Sequence, residues 1–191
     1  MNIANWLTFS RIILVIPFVL FLLAGQFVFA FIIFAVACVT DWLDGFIARN
    51  YNMITDLGKF LDPLADKILV VSALICFVEL GFFGAWVVVV IVAREFIVSG
   101  FRLAVVSKDN TAVIAADIWG KIKTAVTMIA IMWILAIEMF IEFAKASDTN
   151  NALIFDEGSY EILMYICVAL TIFSGFTMIY KNRKLFKQGD S

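Results

Sequence analysis

Four aspartates in two closely spaced pairs are the side chains of this chain best suited to chemistry. Asp41 and Asp44 are three residues apart, and Asp62 and Asp66 are four apart, so each pair would share one face of a helix. Four carboxylates that meet repel one another unless cations lie between them, and oxygen-only ligation favours hard divalent ions such as Mg²⁺ or Mn²⁺. Two such ions, about 3.5–4 Å apart, suit an in-line displacement at phosphorus. The pattern therefore predicts a two-metal site for phosphorus chemistry.

The rest of the composition leaves acid–base and metal chemistry to these carboxylates. The chain contains no His, which removes the usual proton shuttle and the commonest transition-metal ligand. Cys38, Cys76 and Cys167 lie far apart inside apolar runs, as small buried side chains do. A formal net charge of −2 gives no support to a nucleic-acid partner.

Small residues accompany the acids. Gly45 and Ala48 would leave a groove beside them in which a substrate backbone can approach, and Gly58 is placed similarly. Arg49 offers a guanidinium fork for a phosphate at the rim. Asp56 either caps the third helix or belongs to the substrate site. The alternative, that the acids only pair with nearby basic residues as interfacial anchors, would suit one acid but not four on two facing stripes.

The elements that carry these residues are apolar enough to cross a membrane. Of the 191 residues, 64% are hydrophobic and 16% charged, with a mean hydropathy of +1.03, and a span needs roughly 20 apolar residues. We expect an all-α membrane bundle of six transmembrane helices, with residues 1–191 as a single domain. The predicted spans are Trp6–Leu23, Phe27–Ala48, Phe60–Leu80, Phe83–Val106, Ile122–Phe143 and Tyr160–Tyr180.

The positions of the basic residues predict the orientation. Lys and Arg concentrate at alternate helix ends, whereas Lys145 alone lies on the other side, among acids. Because cytoplasmic loops carry the excess of Lys and Arg, we expect both termini in the cytoplasm and the aspartates near the inner surface of the cell membrane. The first segment lacks a cationic start, so we interpret it as an uncleaved helix rather than a signal peptide.

A second group of cations lies in or beside the fourth and fifth spans. Arg94, Arg102 and Lys121 would be costly in lipid without anionic partners, and a phosphate-bearing substrate would supply one. Alternatively, Arg94 pairs with Glu95 or Asp117 and Arg102 reaches the membrane surface.

The spacing of the acids resembles the signature of the CDP-alcohol phosphotransferase family. Eight fixed positions match: Asp41, Asp44, Gly45, Ala48, Arg49, Gly58, Asp62 and Asp66. The resemblance implies a six-span membrane enzyme, commonly a homodimer, that transfers a group from a CDP-linked donor and releases CMP. It further implies that the four aspartates hold divalent metals, as two ions, that Asp66 is the general base, and that Asp44, Gly45, Ala48, Arg49 and Gly58 receive the CDP portion.

Three other segments resemble family members that use sn-glycerol 3-phosphate as the acceptor. They are Asn5-x2-Thr8-x2-Arg11, Ala93–Arg102 and Gly120–Thr124, so the likeness runs to about Thr124. It implies phosphatidyl transfer from CDP-diacylglycerol, with the acceptor phosphate bound by Arg94, Arg102, Lys121 and Arg11, and less directly by Asn5 and Thr8.

Two rival functions stay open at this point. Inositol phosphate as the acceptor would explain the same cations. A membrane ion transporter could use the four aspartates as its pathway, although transporter sites tend to lie near the bilayer midplane between repeated halves, and this sequence shows no repeat.

Overall fold

The computed structural model describes the backbone of residues 3–51, 56–108, 118–146 and 158–187, and side chains within 9–41, 64–65, 67–101, 118–145 and 159–181. Throughout this part of the chain the structure is helical, without strands. The six helices are α1 (Ile3–Leu23), α2 (Phe27–Tyr51), α3 (Asp56–Glu79), α4 (Ala85–Lys108), α5 (Ile118–Ala146) and α6 (Gly158–Lys187). The all-α class is confirmed, and the helices follow the predicted apolar stretches within a few residues, except that α3 and α5 begin about four residues earlier and α6 continues through the basic residues after Tyr180.

Two of the helices pass a length-and-composition test for crossing a membrane. Among the described residues, these candidates are Ile118–Lys145 and Ser159–Lys181, and shorter apolar stretches cover Phe9–Leu23 and Phe27–Asp41. Many large apolar side chains along the helices are exposed, as expected of a surface that faces lipid. The six-span topology and the orientation of the termini stay predictions.

The chain divides into two packing units. The first comprises Met1–Phe82 and Ile131–Glu157, and the second comprises Phe83–Ala130 and Gly158–Ser191. The first unit contains the predicted acid signature, and the second contains the predicted cations of α4 and α5. Whether the whole chain acts as one domain stays a prediction.

In the first unit, α1 packs against both α2 and α3. Its buried face is a stripe at helical spacing, formed by Arg11, Val15, Phe18 and Leu22. The ring of Phe18 lies 5.6 Å from that of Phe34 on α2, measured between centroids. α3 contributes a stripe of its own: Ala65, Leu69, Ala73 and Phe77. Because α1 contacts both helices that carry the signature, it fixes the framework on which the acids are placed.

The turns after α1 and α3 are short, and each contains a glycine in the left-handed region. Gly25 has φ 72° and Gly81 has φ 80°, a conformation that costs other residues energy. After α1, the amide of Gln26 donates to Phe21 O at 2.9 Å, and that of Gly25 donates to Leu22 O at 3.1 Å. This pair of hydrogen bonds is the Schellman motif, which ends many helices.

The second turn repeats the pattern. The amide of Phe82 donates to Phe77 O and that of Gly81 to Val78 O, both at 3.0 Å. The rings of Phe77 and Phe82 lie 5.5 Å apart, which supplies the hydrophobic contact that often accompanies this motif.

In the second unit, α4 packs against α6. Aromatic contacts lie along these helices, since Trp86 stacks on Tyr165 with centroids 5.5 Å apart, and Trp119 of α5 meets Phe173 edge-on at 5.0 Å. The apolar packing leaves a few buried polar residues on α5 and α6, which are described with the candidate site.

Candidate functional site

The eight signature residues lie on two helices that both pack against α1. Five of them, from Asp41 to Arg49, lie in the last turns of α2, and the other three, from Gly58 to Asp66, lie in the first turns of α3. One pair of acids therefore lies near the end of α2 and the other near the beginning of α3, and the predicted meeting of the two pairs stays a prediction. The described side chains include Asp41, whereas those of Asp44, Gly45, Ala48, Arg49, Gly58, Asp62 and Asp66 lie outside this set.

Asp41 forms an ion pair with Arg11 of α1. Arg11 Nη1 lies 2.5 Å from Asp41 Oδ1. The side chain of Arg11 is 1% exposed and that of Asp41 is 35% exposed. A cation buried this deeply requires an anionic partner, because its desolvation is costly. The sequence assigned Arg11 to the acceptor phosphate; the described contact favours a role beside the first acid of the signature instead.

The short turn between α1 and α2 explains why these two residues meet. Arg11 lies twelve residues before the end of α1 and Asp41 lies fourteen after the start of α2, so an antiparallel hairpin places them level. At the start of α2, the amide of Val28 donates to Glu142 Oε2 of α5 at 3.1 Å. This bond satisfies one of the amides left open at the start of a helix.

The described part of the acid site contains one candidate metal ligand, Asp41. Asp41 supplies carboxylate oxygen and stays one-third exposed, so it can accept a second partner besides Arg11. Within the described side chains, no three His, Cys, Asp or Glu residues come together, and Asp41 is the one signature acid among them. Oxygen donors of this kind suit Mg²⁺ or Mn²⁺.

A second polar group lies in the other packing unit, where three helices supply Arg94, Glu95, Lys123 and Ser174; we call it the Arg94 cluster. Arg94 Nη1 lies 3.1 Å from Glu95 Oε1, and Lys123 Nζ forms an ion pair with the same carboxylate oxygen. Arg94 Nη2 donates to Ser174 Oγ of α6 at 2.6 Å. The side chains of Arg94 and Lys123 are 12% and 5% exposed.

The Arg94 cluster contains more positive than negative charge. Within the described residues, the ion pairs of Arg94 and Lys123 both end on Glu95. Arg94 Nε is also buried without a hydrogen-bond partner in this part of the chain. A buried donor left unpaired costs about 1–3 kcal/mol, and one carboxylate does not neutralise two cations. The pairing of Arg94 with Glu95 that the sequence offered as an alternative is present, and Lys123 shares the same carboxylate oxygen.

The other predicted acceptor residues contribute less to the described structure. Lys121 lies on α5 and is exposed. Arg102 lies on α4, and Asn5 and Thr8 lie on α1, with side chains outside the described set. The structure thus brings Arg94 into a polar cluster and leaves the roles of the other four as predictions.

Lys123 and Ser174 are the members of the Arg94 cluster that the sequence reasoning missed. Lys123 could have been found from its spacing, because it lies four residues before Thr127 and eight before Ile131, both buried on the same face of α5. Ser174 had a weaker signal, as a small polar residue in an apolar helix. Nothing in its spacing indicates that α6 faces Arg94.

Comparisons with known proteins agree with the signature. Residues 1–173 match the model of the CDP-alcohol phosphatidyltransferase family. A Bacillus subtilis (strain 168) protein named CDP-diacylglycerol–glycerol-3-phosphate 3-phosphatidyltransferase is 35% identical over 201 residues, covering 97% of both chains. A protein of Escherichia coli (strain K12) with the same name is 41% identical over 140 residues, covering 70% of this chain and 76% of its own. A Mycobacterium tuberculosis (strain CDC 1551 / Oshkosh) protein named probable phosphatidylglycerophosphate synthase is 46% identical over 136 residues, covering 68% of this chain and 64% of its own.

Proposed function

Because this chain belongs to the CDP-alcohol phosphatidyltransferase family, we propose that it transfers the phosphatidyl group of CDP-diacylglycerol to sn-glycerol 3-phosphate. The products are phosphatidylglycerophosphate and CMP, so the chain is a transferase of phospholipid biosynthesis. The observation that carries this proposal is the complete eight-residue signature at the end of α2 and the start of α3, the two helices that pack on α1. The names of the relatives identify the acceptor class.

The reaction is a displacement at phosphorus. A hydroxyl oxygen of the acceptor attacks the phosphorus that bears the diacylglycerol, a new P–O bond forms, and the bond to the CMP phosphate breaks with its electron pair leaving on CMP. Asp66 accepts the proton of the attacking hydroxyl. A general base in this position contributes about 10²- to 10⁴-fold to rate.

Members of this family depend on divalent metals. Asp41, Asp44, Asp62 and Asp66 would hold Mg²⁺ or Mn²⁺, and we propose two ions. When bound, such ions polarise phosphate oxygens and stabilise the charge on the leaving group. A carboxylate that contacts a metal is a weaker base than a free one, so Asp66 shares the activation of the hydroxyl with this polarisation.

The donor and the acceptor would use different residues. Asp44, Gly45, Ala48, Arg49 and Gly58 would receive the CDP portion, since small residues on a helix admit the substrate backbone and an Arg fork binds phosphate in two places.

The Arg94 cluster supports phosphate recognition of the acceptor. Its excess positive charge and the unpaired Nε of Arg94 match a phosphomonoester, which brings negative charge and several acceptor oxygens. We assign Arg94 to this phosphate, with Lys123 stabilising the cluster, and extend the assignment to Arg102 and Lys121. Arg11 we place with Asp41, because its described ion pair is made there.

The chain is a membrane protein, and we propose the following placement. Six spans cross the cell membrane, both termini are cytoplasmic, and the aspartates face the cytoplasm. This arrangement suits an enzyme with one lipid substrate, CDP-diacylglycerol, and one soluble anion. The family resemblance supports a homodimer surrounded by membrane lipids.

Product analysis tests the proposed reaction. Purified protein would receive radiolabelled CDP-diacylglycerol with sn-glycerol 3-phosphate, inositol 1-phosphate or serine, and the lipid products would be separated by thin-layer chromatography. We expect phosphatidylglycerophosphate with the first acceptor and no lipid product with the others. Product from inositol phosphate alone would establish the rival acceptor.

A further inference from the structure

Two adjacent small residues of α6 lie directly against the side chain of Arg94. Ser174, itself buried, accepts a hydrogen bond from Arg94 Nη2 at 2.6 Å. At Gly175, a Cβ atom would lie 3.1 Å from Arg94 Cγ and 3.5 Å from Arg94 Nε. The first of these distances is shorter than an ordinary carbon–carbon contact, so Gly175 leaves the space that the stem of Arg94 occupies.

The guanidinium of Arg94 is thereby held on two sides. Nη1 contacts Glu95, which Lys123 holds in turn, and Nη2 contacts Ser174. The remaining nitrogen of the guanidinium, Nε, is buried and has no hydrogen-bond partner within the described residues. An unrestrained Arg side chain samples many rotamers, whereas this one is held by its two Nη atoms while Nε stays open.

We propose that Ser174 and Gly175 are positioning residues that orient Arg94 toward the phosphate of the acceptor. The inference rests on the proposed function, because it takes Arg94 as a ligand of that phosphate. It gives α6 a role in acceptor recognition, although the sequence of this helix indicated hydrophobicity alone.

The two residues would act by different means. Replacing Ser174 by Ala removes the oxygen that accepts from Nη2 and leaves a buried donor open. Replacing Gly175 by Ala adds a methyl group that displaces the stem of Arg94 by a few tenths of an ångström. Since a phosphate ligand must be placed accurately, both changes would weaken acceptor binding without touching the substrate.

A purely structural role predicts a different result. Ala is a better helix former than Ser or Gly, so either substitution on a helix that only packs would preserve folding and leave substrate affinity unchanged. The acceptor KM therefore separates the two roles.

The test is steady-state kinetics of purified full-length protein in detergent, with sn-glycerol 3-phosphate varied at saturating CDP-diacylglycerol. We expect Ser174→Ala to raise the acceptor KM about 10-fold, as for one lost hydrogen bond to a charged group. Gly175→Ala should raise it about 3- to 10-fold. Ser174→Thr, which keeps a hydroxyl, should stay near the wild-type value.

Two controls identify Arg94 as the intermediary. Thr171 lies one turn before Ser174, is equally buried, and has a hydroxyl without a hydrogen-bond partner in the described residues, so Thr171→Ala should leave the acceptor KM unchanged. In an Arg94→Ala background, Ser174→Ala and Gly175→Ala should add no further increase, because residues that act through one side chain are not additive. Ser174→Cys replaces Ser174→Ala if the latter fails to fold.

The outcomes separate this inference from the proposed reaction. Wild-type protein that makes no phosphatidylglycerophosphate from sn-glycerol 3-phosphate would overturn the reaction itself. If the wild type is active and Arg94→Ala raises the acceptor KM, but Ser174→Ala and Gly175→Ala do not, the positioning role is wrong and the reaction stands. The positioning role is also wrong if Arg94→Ala leaves the acceptor KM unchanged, or if the effects persist in the Arg94→Ala background.

Discussion

The ion pair of Arg11 with Asp41 and the Arg94 cluster balance their charges differently. In the first packing unit, the described contact joins one cation to one carboxylate. In the second, Arg94 and Lys123, whose side chains are 12% and 5% exposed, share Glu95 among the described residues. The comparison teaches that the type of residue does not assign its role. Arg11 and Arg94 are both arginines beside an acid, and from the difference in charge balance we propose that the first acts with the carboxylates and the second receives an incoming anion.

This contrast predicts that the two regions govern different kinetic constants. Changes at the aspartates should act on turnover, because the bond exchange takes place there. Changes at the cations should act on the acceptor KM, because the phosphate of the acceptor completes their charge.

The largest expected effect is the removal of divalent metal. Four carboxylates that come together repel one another, and the described ion pair of Asp41 with Arg11 offsets only one of their charges, so EDTA should abolish activity, and excess Mg²⁺ or Mn²⁺ should restore it. Product formation from CDP-diacylglycerol measures this. Full turnover in the presence of chelator would reject the metal site.

Asp66→Asn should have the second largest effect. Loss of the general base should reduce kcat about 10²- to 10⁴-fold. Binding of both substrates should be retained, since Asn preserves the size of the side chain. Equilibrium binding of each substrate beside single-turnover kinetics measures the split. A variant that loses acceptor binding as severely as turnover would contradict the proposal that the aspartates govern turnover and the cations govern acceptor binding.

Arg102→Ala tests how far acceptor recognition extends along α4. Loss of a charge-assisted hydrogen bond is worth about 1.5–3 kcal/mol, so kcat/KM for sn-glycerol 3-phosphate should fall about 10- to 150-fold. The KM of CDP-diacylglycerol should change little. Lys145→Ala, at an exposed position of α5, is the matched control. A higher donor KM with an unchanged acceptor KM would assign Arg102 to the donor instead.

Glu95→Gln should give the smallest change in the kinetic constants, because it acts mainly on stability. The substitution leaves Arg94 and Lys123 without their shared carboxylate, a change of the kind that costs about 3 kcal/mol. Saturating sn-glycerol 3-phosphate should restore part of the lost free energy of unfolding, because a ligand that binds the folded state stabilises it. Thermal unfolding with and without ligand measures both effects, with Glu161→Gln at an exposed position of α6 as the control. Equal unfolding temperatures for the two variants would contradict the charge balance described for the Arg94 cluster.

The sequence predicted the helices and the family well because both depend on the local spacing of residues. Gly25 and Gly81 mark the ends of α1 and α3 through backbone conformations that glycine adopts readily. Pairs of Asp at three and four residues apart identify a helix face without any knowledge of the fold.

The partners of the cations depended on tertiary packing that spacing does not contain. Of the two lysines near the start of α5, the sequence selected Lys121, which is exposed, whereas Lys123 is buried beside Glu95. The contact of Arg94 with Ser174 joins residues eighty positions apart. Arg11 shares a motif with Asn5 and Thr8, yet its partner Asp41 lies on the next helix.

The most direct test is equilibrium binding of radiolabelled sn-glycerol 3-phosphate to two turnover-deficient proteins, Asp66→Asn and Asp66→Asn/Arg94→Ala. The central claim is that the buried cations bind the acceptor phosphate while the aspartates carry out the reaction. The single variant should therefore bind with wild-type affinity, and the double variant should bind about 10- to 150-fold more weakly, the equivalent of one charged hydrogen bond. Equal affinity of the two variants would contradict the claim.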